Sequence, residues 1–176
     1  MSDRETFLGA AIKGGIAGIA GTFAMSAGME QLPHLLKMVD MEPPKRGEAT
    51  GVGGGKYSER PVEKLADRIA DEVFDKRLSK DARKAGGQLL HWAYGIGWGA
   101  FYGVVQSRLR LPHLVHGTLL AALMGVTAVS VVPATKVVPW PKDLPPQRTV
   151  LQMTYILMFA WTAALTFGML SRRKKD

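Results

Sequence analysis

The charges of this chain are unevenly distributed, and that unevenness constrains the fold more than any motif does. They crowd between about residues 37 and 84, while other stretches run for about twenty residues with almost none. A helix needs roughly 20 apolar residues to cross roughly 30 Å of hydrocarbon. Apolar segments of that length, joined by charged connections, predict membrane spans separated by aqueous loops. A chain of 176 residues has little room for a large soluble core beside them, so a single all-α membrane domain over 1–176 is expected.

Four spans are read, at 7–32, 88–106, 112–132 and 149–170. Lys13 lies within two turns of the first span's start, where its stem can reach the interface. Asp3 and Glu5 beside Arg4 argue against the basic leader of a cleaved signal peptide. The second span ends at Ser107-Arg108-Leu109-Arg110 and Pro112 opens the third, so these two form an antiparallel hairpin. A connection rich in proline, with Pro133, Pro139, Pro141, Pro145 and Pro146, leads to the fourth. The polar connection 33–87 has two parts. Pro43-Pro44 and Gly53-Gly54-Gly55 predict irregular backbone first. From Pro61 onward Val62, Leu65, Ile69 and Val73 recur at helical spacing with Ala66 and Ala70 beside them, and Glu63, Lys64, Asp67, Arg68, Asp71 and Glu72 fill the other faces. This predicts an amphipathic surface helix over 61–84, whose mixed charges suit a solvated face better than a lipid-seeking one. The expected fold is an integral membrane four-helix bundle with that additional helix in its first long loop.

The absence of cysteine excludes disulfides, thiolate metal sites and Cys nucleophiles. The net charge of +8 brings nucleic acid to mind. However, Arg172-Arg173-Lys174-Lys175 directly follows a span, as juxtamembrane anchors do, and no recognition motif accompanies the charge, so no nucleic-acid partner is expected. Four spans place both termini on one side. That side also carries the Arg108/Arg110 turn and the basic tail, which makes it cytoplasmic by the positive-inside rule.

Small residues recur in every span. Ala10, Gly14, Ala17, Gly21, Ala24 and Gly28 step by four and three along the first, and Gly95, Gly99 and Gly103 by four along the second. The third has Gly117, Ala121 and Gly125, the fourth Ala160, Ala164 and Gly168. Lipid tails are as apolar as leucine, so close backbone approach through small residues, not burial, draws membrane helices together. The expected contacts are within the chain or with partner helices.

The polar residues nearest the spans sort between two faces. Glu30, His34 and His91 flank the long connection, and Arg148 and Gln152 begin the fourth span on the same side. Glu30 and His34 are four apart and share a helix face. A metal or proton-handling site is one use of such a cluster. Interfacial pairing of Glu30 with Arg148 or His91 is the commoner one. His91 and His116 begin consecutive antiparallel spans, which keeps them from sharing a haem iron. His113 and His116, three apart near a turn, are expected to cap or be solvated. The stripe of Gln152, Tyr155, Thr162 and Thr166 suits interhelical hydrogen bonds better than a solute path. No catalytic residue and no cofactor is predicted.

The order of features resembles a known group. Thr22-Phe23-Ala24-Met25-Ser26 in a glycine-rich first span leads to Pro43-Pro44-Lys45-Arg46. Then come His91-Trp92-Ala93-Tyr94-Gly95 and Gly99-Ala100-Phe101-Tyr102-Gly103, a turn ending Pro145-Pro146-Gln147-Arg148, and a last span rich in small residues. This is similar to the YagU-like bacterial inner-membrane proteins of unknown function, over nearly the whole chain. The resemblance implies an inner-membrane location and four spans; it implies no catalytic residues. The functional expectation is a non-enzymatic accessory or scaffold module, in contact with the lipid bilayer and with other subunits or further copies of itself. A metal-dependent enzyme or proton-coupled carrier built on Glu30, His34 and His91, or an oligomeric pore, are the alternatives.

Overall fold

A computed structural model describes residues 6–38, 61–74, 79–109, 111–134, 140, 142 and 146–172, with side chains for all of these except 33–38, 61, 62, 64, 72–74, 132 and 146–148. It is helical throughout its five elements: α1 (Phe7–Met38), α2 (Pro61–Phe74), α3 (Lys80–Leu109), α4 (His113–Ala134) and α5 (Pro146–Arg172). Among the described residues there is no strand.

Among the described residues, three helices carry a stretch long and apolar enough to cross a membrane: Phe7–Leu32 in α1, His113–Val131 in α4 and Thr149–Arg172 in α5. The stretch 88–106 of α3, expected as a fourth span, does not reach that hydropathy. The reason lies in its composition. Gln88, His91, Tyr94, Tyr102 and Gln106 are polar or amphipathic, and its glycines contribute no apolar side chain.

Helix boundaries also depart from the sequence reading. α1 continues through Pro33 to Met38, because a proline near a helix end costs one backbone hydrogen bond and ring clearance rather than the whole helix. The charged helix expected over 61–84 is two elements. α2 ends at Phe74 and α3 begins at Lys80, behind a Ser79 cap whose Oγ accepts from Ala82 N–H at 3.3 Å, with Asp81 in its first turn. Arg83 and Lys84 therefore belong to α3.

The chain divides into two compact units. The first contains Met1–Gly28, Ala93–Met124 and Tyr155–Asp176, hence segments of α1, α3, α4 and α5. Tyr102, Met124, Tyr155, Phe159 and Phe167 are buried there together with Ala160, Ala163 and Ala164. The second contains Met29–Trp92 and Gly125–Thr154. In it, a Cβ on Gly87 would stand 3.0 Å from Glu63 Cγ, one on Gly86 3.0 Å from Ala66 Cβ, and Arg83 Nε lies 3.3 Å from Asp67 Oδ1. The α2 number rises as the α3 number falls, so α2 lies antiparallel to the start of α3. Among the described side chains of α2, Ala66 and Ala70 are buried, Leu65 is half-buried and Ile69 is 40 % exposed. Two helices of this length approach closely only where their contact residues are small. Gly87→Val should therefore loosen α2 by about 1–3 kcal/mol, visible as faster amide exchange across Leu65–Ala70. Unchanged exchange would show that the pairing does not depend on that contact.

Candidate functional site at the α3–α4 turn

Within the first unit, α1 and α3 meet backbone to backbone. A Cβ on Gly14 would run into the carbonyl oxygen of Gly99 and lie 3.0 Å from the Cα atoms of Ala100 and Gly103. A Cβ on Gly99 would lie 2.5 Å from the Cα of Gly18 and 2.6 Å from its nitrogen. Gly103 faces Ala10 and Gly14, and Gly95 faces Thr22. The buried hydroxyl of Thr22 donates back to Gly18 O at 2.8 Å, so this polar group over Gly95 is satisfied. Gly21 meets Phe159 and Gly28 meets Met158, both on α5. Gly117 lies against Ala164 and Ala160, and Gly168 against the ring of His113; in the second unit, Gly125 lies against the sulfur of Met153.

The polar side chains this packing draws together stand at the turn between α3 and α4. Gln106, buried in the last turn of α3, donates from Nε2 to Leu111 O at 2.6 Å. Its Oε1 accepts from Nδ1 of His116, in the first turns of α4. The His116 ring lies 4.7 Å from the ring of Tyr102, whose edge in turn meets Phe167 of α5 at 5.7 Å. The Tyr102 hydroxyl is 3.4 Å from His113 O and 3.5 Å from His113 Nδ1, both long for hydrogen bonds. His113 packs on Phe167 at 6.4 Å, and its Cδ2 would stand 3.0 Å from a Cβ on Gly168. Four polar or amphipathic residues, Tyr102, Gln106, His113 and His116, thus join α3, α4 and α5.

His116 corrects the expectation of a solvated or capping histidine: it is 6 % exposed and hydrogen-bonded to a buried amide. The missed signal was symmetry. Gln106 and His116 lie five residues before and five after Leu111, and an antiparallel hairpin with a short turn places such residues opposite one another.

The cluster expected from sequence is less completely described. Glu30 is exposed, and His91 and Gln152 are half-buried. The side chains of His34 and Arg148 lie outside the described residues. Among the described residues, no group of three or more His, Cys, Asp or Glu could hold a metal ion. What the α3–α4 cluster can do chemically is accept, donate and hold protons: two imidazoles, a phenol and an amide.

No family model, no curated protein and no solved structure matches this chain.

Proposed function

We propose that the chain is a non-enzymatic accessory or scaffold subunit of a bacterial inner membrane, with α3 as a fourth crossing helix and both termini cytoplasmic. On this reading it belongs with the YagU-like proteins it resembles. α3 is 30 residues long, about 45 Å at helical rise and more than the roughly 30 Å of hydrocarbon. Its weak hydropathy is offset because its glycine face lies on the backbone of α1, so little of that face needs lipid.

The observation that carries a scaffold role is the opposite side of α3. Tyr94, Trp98 and Phe101 pack edge to face in a row, at centroid distances of 5.9 and 5.7 Å. Beside them Gly97 has nothing within 4 Å of an added Cβ. A glycine notch flanked by aromatic side chains suits close approach by another helix better than it suits lipid tails. In the three apolar windows only 33–44 % of residues are buried, which leaves ample surface for neighbouring subunits as well as for lipid.

Purification from native membranes in mild detergent should yield a defined homo-oligomer or stoichiometric partner subunits. Gly97→Leu should dissolve that assembly while leaving the thermal unfolding temperature of the subunit unchanged, since a Cβ at Gly97 meets nothing within 4 Å among the described residues. A monodisperse monomer without partners, or an assembly indifferent to Gly97→Leu, would contradict the proposal.

A further inference from the structure

The turn between α3 and α4 contains an arrangement that a packing role alone leaves unused. Gln106 is engaged at both ends of its amide, which assigns the neutral His116 its proton on Nδ1 and its lone pair to Nε2. The ring is 6 % exposed and rests on Tyr102, which is fully buried. Tyr102 leans on His113, and His113 is seated against Phe167 and Gly168 of α5. One run of contacts therefore ties the end of α3, the start of α4 and α5 together, within about two turns of residues 110–112.

Of the ionisable groups in this unit, Tyr102 and His113 belong to the run of contacts; the other described ones are Tyr94 and Arg108 on α3, Lys13 on α1, and Tyr155 and Arg172 on α5. Among the described residues of this unit there is no carboxylate. A charge placed here meets only neutral or cationic groups.

We propose that the cluster is a proton-operated latch. A proton taken from water at the α3–α4 end converts Nε2 of His116 from an acceptor into a donor. The imidazolium so formed sits in a residue only 6 % exposed, with no carboxylate among the described residues of its unit, and an unpaired charge held there costs free energy until it reaches water. The first turns of α4 then part from α3 and α5, and the chain reports acidification on that side of the membrane to whatever packs against it. The latch rests on the packing of this unit and not on the scaffold reading.

The chain has no cysteine, so paired spin labels can be placed without background. Labels at Leu114 of α4 and Met169 of α5, both exposed, report the latch in lipid nanodiscs. Labels at Ile19 of α1 and Phe101 of α3 serve as the control pair. Lowering the pH from about 7.5 to about 5, across the imidazole range, should move the first pair apart by roughly 2 Å or more and leave the second unchanged. His116→Gln should abolish the shift, while His34→Gln and His91→Gln retain it. An unmoved first pair, the same shift in His116→Gln, or equal movement of both pairs would overturn the latch. Should His116→Gln fail to fold, nitrogen NMR of the four histidines in the unaltered protein decides. His116 must carry its proton on Nδ1 at neutral pH and its titration must track the label shift; a shift tracking another histidine overturns the proposal.

Discussion

Gly99→Leu is expected to abolish the folded protein, and Gly99→Ala alone to cost about 1–3 kcal/mol or more. The methyl group of alanine would stand 2.5 Å from the Cα of Gly18 and 2.6 Å from its nitrogen, and backbone atoms cannot rotate out of the way. α1 and α3 would have to separate along their whole shared face, losing the contacts at Gly14, Gly95 and Gly103 together. Gly97→Ala, two residues away on the same helix, meets nothing within 4 Å and should be neutral. Thermal unfolding of the variants side by side in one detergent separates these outcomes. Equal unfolding temperatures for Gly99→Ala and Gly97→Ala would contradict the backbone contact.

The second large effect is expected at Gln106. Leucine in its place has similar bulk but leaves Leu111 O and the Nδ1–H of His116 unpaired, at about 1–3 kcal/mol for each buried group. The informative comparison is the cycle with His116→Leu. Once Gln106 is gone the histidine has lost that partner, so the double variant should be less destabilised than the sum of the two singles. Strictly additive costs would mean that the two side chains do not interact. Gln88→Leu, an exposed position on α3, should change stability little.

The sequence revealed most where a single helix carries its own periodicity. The glycines of α1 and α3 repeat at four and three because a contact face must repeat that way, and Gly14, Gly99 and Gly103 can be marked without any partner in view. The start of α3 was hidden for the same reason. Lys80–Gln88 is charged, and charge in a helix that projects beyond the hydrocarbon looks the same as charge in a loop. The Ser79 cap and Asp81 are the local signs of its true start. α2 differs: Leu65 and Ile69 belong to the obvious apolar row, yet Ala66 is the more deeply buried, because it lies against Gly86, where a small residue admits close approach. At the site, the position of His116 near a turn suggests a capping or solvated ring. Its environment comes from Gln106 and Tyr102 on another helix, and only pairing residues across the turn would have shown it.

Whether α3 crosses the membrane decides between three spans and four. Ser79, just before α3, and Arg108, in its last turn, are both exposed. In a chain without cysteine, Ser79→Cys and Arg108→Cys each provide one thiol for a reagent that cannot cross the bilayer. In spheroplasts, the reagent should label Ser79→Cys in intact cells and Arg108→Cys only after permeabilisation. Labelling of both from the same side would contradict a crossing α3, and with it the four-span account.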